Sequence, residues 1–153
     1  MIQRKQTIYL LVAVVLTLIC MATQIGSFNV AGLTVARVYN IWFTDPLGKH
    51  HFDVWPLFAI LLPTATIGTY TIFIYHNRKT QAMFCLLNIL LLVGYYVCFA
   101  VVANVVGDKS WGTVIFRPTL TAVLPAIAII FYVLARRAII ADEKLVRSLD
   151  RIR

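Results

Sequence analysis

Four stretches of this chain, at about residues 7–26, 57–75, 82–106 and 119–135, contain no Asp, Glu, Lys, Arg or His. Each is close to the roughly 20 residues that an α-helix needs to cross a ~30 Å hydrocarbon core. Lipid cannot hydrogen-bond exposed backbone, so a spanning segment must satisfy its own N–H and C=O groups, as a helix does. The chain is therefore read as an all-α membrane protein, a four-transmembrane-helix bundle. Composition agrees, with 61% hydrophobic and 13% charged residues, where soluble domains carry about 25% charged ones. Four spans and their connections nearly exhaust 153 residues, so a single membrane domain is expected with no separate soluble one.

The net charge of +8 sits at the ends of apolar runs, not in a basic stripe with interleaved aromatics, which argues against nucleic acid as a partner. It orients the spans instead. Ten Lys and Arg (Arg4, Lys5, Arg78, Lys79, Arg136, Arg137, Lys144, Arg147, Arg151, Arg153) fall on the side holding both termini, against four (Arg37, Lys49, Lys109, Arg117) on the other. Positive charge is retained on the cytoplasmic side, so both termini are expected there, in a multi-pass protein of a bacterial inner membrane. Tyr9, Trp55, Tyr75 and Trp111 stand at span boundaries as interfacial anchors. The run from Ile8 to Ile25 is longer than a usual signal-peptide core, so an uncleaved first helix is expected. Lipoprotein processing at Cys20 is disfavoured by the bulk of Ile19 before it.

Residues 27–54 change character. The β-branched and aromatic run 33–43, the turn Asp45-Pro46-Leu47-Gly48 and the segment 50–54 predict a small extracytoplasmic β-hairpin, with a short third strand at 28–30 turning through Ala31-Gly32. The second outer loop, residues 107–117, reads as short and turn-like. Residues 136–153 read as a basic amphipathic cytoplasmic helix continuing the fourth span, with Leu145, Leu149 and Ile152 on one stripe and Glu143 positioned to pair with Arg147.

Ionisable residues at membrane depth mark proton relays and ion pathways, and their absence weighs against a pump or proton-coupled transporter. What remains is small and hydroxyl-bearing: Ala13, Thr17, Cys20 and Gln24 on a face of the first span, Thr64, Gly68 and Thr71 on the second, Gly94 and Cys98 on the third. Such residues let helices approach and hydrogen-bond across, so they are read as packing seams inside the bundle, with an interface between copies or a polar lining as the alternative. Pro56 and Pro118 suit the starts of spans two and four, whereas Pro63 and Pro125 are expected to loosen those helices internally. Asn88 and Asn104 are too far around the helix to line one groove. His50, His51 and Asp53 form a metal-like cluster, but two ligands on one strand face do not close a zinc site. No catalytic triad, phosphate loop or paired carboxylates are recognisable, so no enzyme, cofactor or metal is expected. Arg136, Arg137, Lys144, Arg147, Arg151 and Arg153 are candidate contacts for anionic lipid headgroups or a partner.

The opening segment, residues 1–10 (MIQRKQTIYL), and the ending, residues 142–153 (DEKLVRSLDRIR), resemble a family of short inner-membrane proteins of Bacteroidetes-type bacteria known as domain of unknown function 4293. The likeness extends along the chain through its length and its four-span pattern, and it implies no activity, cofactor or catalytic residue. In outline the chain is also similar to claudin-like proteins, but the paired cysteines and tryptophan signature of their first outer loop are missing. The function expected is a non-enzymatic structural or accessory subunit, with membrane lipids, a membrane-protein partner or a second copy as partners. The alternative is a passive channel or a lipid- or small-molecule-binding membrane protein.

Overall fold

A computed structural model describes residues 5–111 and 115–150, with side chains described over 5–105 and 115–146. The elements run α1 (Lys5–Ala22), β1 (Gly26–Val30), β2 (Leu33–Val38), β3 (Phe43–Thr44), β4 (His50–His51), α2 (Trp55–Phe73), α3 (Arg78–Trp111), β5 (Ile115–Pro118), a 3-10 turn (Leu120–Val123) and α4 (Leu124–Asp150). Four helical segments, Lys5–Ala22, Trp55–Phe73, Arg78–Val105 and Leu120–Val146, are long and apolar enough to cross a membrane. Large apolar side chains such as Leu11, Phe73, Met83, Leu90 and Val97 are exposed on their outer surfaces, as a lipid-facing surface requires.

The helices close a ring in which α1 and α3 each pack against both α2 and α4. Leu10, Leu57, Leu61, Leu92, Tyr95 and Tyr132 fill its interior and are fully buried. The Tyr132 hydroxyl lies against Gly68 of α2. A Cβ at Gly68 of α2 would overlap the Tyr132 hydroxyl and crowd Val14 of α1, so the glycine is what admits the ring of α4 to that seam. Within α2, Pro56 occupies the first turn, where its missing N–H costs nothing, and Pro63 stands inside the helix.

The predicted hairpin is a larger structure. The α1–α2 and α3–α4 connections knit into a five-stranded sheet of order β4-β3-β2-β1-β5. Ala31 and Gly32 make the β1–β2 turn, both with positive φ (50° and 85°), the backbone that a two-residue hairpin loop needs to match strand twist. The run read as one strand over 33–43 breaks after Val38, turns through 39–42 and resumes at Phe43, which pairs with His51. The α3–α4 connection, expected to be turn-like, holds a strand: β5 pairs along β1, from Gly26↔Pro118 to Asn29↔Ile115. The protein thus combines four long helices with a sheet, a correction to the all-α reading.

The sheet also sets helix limits. α1 ends at Ala22, short of the expected Gly26, because the Ile25 N–H donates to Val38 C=O (2.9 Å) and Gly26 pairs with Val38 and Pro118. Pro118 ends β5 and does not start a helix. Pro125 lies in the first turn of α4, so it caps that helix and does not loosen it. α3 has 34 residues, about 51 Å at 1.5 Å per residue, and so overruns a ~30 Å core. α4 runs unbroken from the fourth span into the basic tail.

Candidate functional site

The polar chemistry of the described residues concentrates where the sheet sits on the helix ends. Asn40, in the turn between β2 and β3, is fully buried. Its Nδ2 donates to the Cys20 carbonyl of α1 (2.7 Å), its Oδ1 accepts from the Tyr95 hydroxyl of α3 (3.0 Å), and its main-chain carbonyl accepts from Phe58 N–H in the first turn of α2 (3.2 Å). A helix leaves its last carbonyls and first amides unpaired, and Asn40 satisfies one of each. One residue thereby ties the sheet to three helices, α1 and α3 through its side chain and α2 through its main chain. Cys20 Sγ approaches the Tyr95 hydroxyl at 3.9 Å.

The fourth helix and the 3-10 turn before it are joined by four further hydrogen bonds. The Tyr96 hydroxyl donates to Ala122 C=O (2.8 Å) and accepts from Ala126 N–H (2.9 Å), an unpaired amide at the start of α4. Thr121 Oγ1 donates to Gln24 C=O, and Thr119 N–H to Ile25 C=O (2.9 Å). An aromatic series, Phe28–Phe116 (5.2 Å), Phe116–Phe99 (5.4 Å) and Phe99–Tyr95 (6.1 Å), continues from the buried face of the sheet into α3. The sheet is therefore a rigid head fixed to the ring.

Away from the helices the head exposes large apolar side chains. Leu33 beside the β1–β2 turn, Leu47 in the β3–β4 turn and Ile115 at the start of β5 are 75%, 84% and 67% exposed. Arg37, Thr44 and Asp45 line a shallow groove of about 320 Å³ beside them. His51 Nε2 meets Asp45 Oδ2 at 2.7 Å, so the carboxylate it engages is not Asp53. Among the described residues no group of three or more His, Cys, Asp or Glu could hold a metal ion.

The proposed seams fare unevenly. Ala13, Thr17, Cys20, Thr64, Gly68 and Thr71 are all buried between helices. Yet the hydroxyls do not bond across: Thr17 donates to Ala13 C=O (2.9 Å), Thr64 to Ile60 C=O (2.8 Å) and Thr71 to Ile67 C=O (2.6 Å), each in its own helix. Gln24 lies beyond the end of α1, its Nε2 donating to Gly26 C=O (3.0 Å), and so is not on the helix face. A Cβ at Gly94 would meet nothing within 4 Å, so that glycine serves no close approach, and Cys98 is only half-buried.

The cross-helix bonds come from amides and phenols. Gln81 Nε2 donates to Thr71 C=O (3.0 Å). Asn88, fully buried and with its amide turned to match donors to acceptors, donates to Thr64 C=O (3.2 Å) and accepts from Gly68 N–H (3.3 Å). A buried amide offers both a donor and an acceptor at one place, which was the available signal; the short hydroxyls were the weaker guide because each is absorbed by its own helix. At the other end of the ring, Arg78 Nη1 donates to Asp142 C=O (2.8 Å), fixing the α2–α3 turn against α4.

Of the basic tail candidates, Arg136 is half-buried with its Nε unpartnered among the described residues, while Arg137 and Lys144 are exposed. The Arg147 side chain lies outside the described residues, as do Arg151 and Arg153, and with them the Glu143–Arg147 pairing and the apolar stripe through Leu149 and Ile152. The Trp111 anchor likewise has no described side chain, whereas Trp55 and Tyr75 are 60% and 50% exposed at the ends of α2.

No curated protein matches the chain. The family model described as Domain of unknown function (DUF4293) matches residues 2–152, and the chain belongs to that family.

Proposed function

We propose that the protein is a non-enzymatic accessory subunit of a bacterial inner membrane, with both termini cytoplasmic and the five-stranded head presented outside as a docking surface for an apolar face of a membrane-protein partner. The observation that carries this reading is the pairing of rigidity with exposure. Asn40 fixes the head to three helices, while Leu33, Leu47 and Ile115 project from it. Large apolar side chains exposed on such a head suit an interaction surface, and a pre-fixed head lowers the ordering cost of binding. The ten-to-four partition of Lys and Arg supports the orientation. The alternative of a passive channel is weakened by the buried Tyr132 ring reaching Gly68 across the ring interior.

The test is photo-cross-linking in native membranes from positions 33, 47 and 115. A discrete adduct expected from these sites, with the one from position 115 lost in Leu33→Asp/Leu47→Asp at unchanged thermal stability, supports the reading. Labelling no different from that at a lipid-facing position such as Val97 refutes it. A topology reporter placed after Asn77 and found outside would reverse the orientation.

A further inference from the structure

The outer surface of α3 carries a line of side chains that nothing in the single chain covers. Leu87, Leu91, Gly94, Cys98, Val101 and Val105 follow alternating steps of four and three residues, which keep to one line along a helix, and none of them is buried. The two small residues stand at its middle, and a Cβ on Gly94 would meet nothing within 4 Å. Within one chain this glycine weakens a helix interior relative to alanine and admits no neighbour in return. A hollow on the outside of a spanning helix is what a second helix needs in order to come close. Association in lipid depends on such packing, because lipid tails are as apolar as the side chains they touch.

The length of α3 narrows what that second helix is. Arg78 meets Asp142 at one end of the ring, and the Tyr96 hydroxyl meets Ala126 at the other. The rise between them is about 27 Å at 1.5 Å per residue, close to the ~30 Å of the hydrocarbon core. Val101 and Val105 lie about 7 and 13 Å beyond Tyr96, where lipid tails no longer cover them, and they are 55% and 43% exposed. The head covers another side of this overhang, with Phe99 against Phe116 and Val102 buried. A helix that follows the line from Leu87 to Val105 must start inside the membrane and rise past it by the same height. α3 of a second copy does both, since every copy crosses in one orientation and the two helices run parallel and overhang together. A two-fold axis between them sets Gly94 against its counterpart, so hollow meets hollow and the backbones close up.

We propose that the protein forms a parallel two-fold dimer through α3, with the helices crossing at Gly94 and the overhang, through Val101 and Val105, sealing the seam above the hydrocarbon. Steps of four and three residues give a left-handed crossing of about +20°. Val97 stands to one side of this line and stays turned to lipid. The seam leaves the rim of the head free and requires only that the helices span a membrane, so it stands or falls independently of the docking reading.

The full chain is reconstituted alone in liposomes as a mixture of copies carrying a donor or an acceptor dye at the C-terminus, and energy transfer is followed as lipid is added. Transfer is expected to persist on dilution. Oxidation with copper–phenanthroline is expected to link two copies through Cys98, a product lost in Cys98→Ser. Gly94→Leu, whose side chain meets open space in the single chain, should weaken the dimer about tenfold or more with thermal stability unchanged. Val101→Lys, at an exposed position above the hydrocarbon, should weaken it as well and serves if bulk at 94 disturbs the helix. Leu33→Asp/Leu47→Asp should leave transfer as it was, so that loss of the dimer and loss of docking by the head read separately. Transfer that falls with dilution as random encounters do overturns the proposal. So does a Cys98 product no more abundant than that of Leu11→Cys in a Cys98→Ser background, or a dimer indifferent to both Gly94→Leu and Val101→Lys.

Discussion

Replacing Asn40 by alanine should cost far more than one surface loop residue, and the structure sets the size. The truncation removes the Nδ2 bond to Cys20 C=O (2.7 Å) and the Oδ1 bond from the Tyr95 hydroxyl (3.0 Å). Both abandoned partners stay buried, Tyr95 at 0% exposure. The Cys20 carbonyl keeps long contacts from Thr23 N–H (3.4 Å) and Oγ1 (3.5 Å), so the Tyr95 hydroxyl is the group left stranded, at about 1–3 kcal/mol. With the lost bond to Cys20 C=O at about 1 kcal/mol, Asn40→Ala should destabilise by about 2–4 kcal/mol. Tyr95→Phe strands only Asn40 Oδ1 and should cost about 1–2 kcal/mol by the same reasoning. Combining them is diagnostic. With alanine at 40 the phenol has lost its acceptor, so deleting the hydroxyl relieves a penalty, and the double variant should be more stable than the sum of the singles by about 1–2 kcal/mol. Reversible unfolding in mixed detergent, titrated with SDS and followed by tryptophan fluorescence, measures all four species. Additivity to within about 0.5 kcal/mol would show that the Tyr95–Asn40 bond does not join the head to α3, and the rigid-head reading would go with it.

Four further outcomes follow from single sites. Gly68→Ala puts a Cβ against the Tyr132 hydroxyl and Val14 and should destabilise by about 1–3 kcal/mol; adding Tyr132→Phe should recover part of that loss in the same SDS titration. Gly94→Ala meets open space and should be neutral or stabilise by up to about 1 kcal/mol, so a loss comparable to Gly68→Ala would contradict the ring packing. Tyr96→Phe strands Ala122 C=O and Ala126 N–H and should cost about 1–3 kcal/mol, with hydrogen exchange rising at the first turn of α4. Gly26→Val would drive a side chain into Phe116 and Arg117 C=O and should release β5, read as new protease sensitivity between α3 and α4 while the helical circular dichroism stays unchanged.

The spans were legible because lipid imposes a length and forbids charge, and those two demands leave a record in any window of the chain. Their ends were not, because the ends are decided by partners remote in sequence. Ile25 and Gly26 look like more of the first apolar run, yet Val38 and Pro118 claim their backbone groups and stop the helix at Ala22. β5 has four residues and closes with proline, too short for alternation to register, and it is a strand only because β1 offers it an edge. The hairpin turn Ala31-Gly32 was visible since its geometry is local. Asn40 was invisible as a site for the opposite reason: nothing near it in sequence distinguishes it from a turn residue, and its three partners belong to three helices. The threonines erred in the other direction. Their spacing was read as contact between helices, but a hydroxyl within reach of its own i−4 carbonyl is satisfied before a neighbouring helix arrives, as Thr17, Thr64 and Thr71 show. An amide such as Asn88 or Gln81 has a donor and an acceptor on a longer arm, and the helices it bridges fix its position. In a charge-free span, then, asparagine, glutamine and tyrosine are better markers of tertiary contact than threonine at the same spacing.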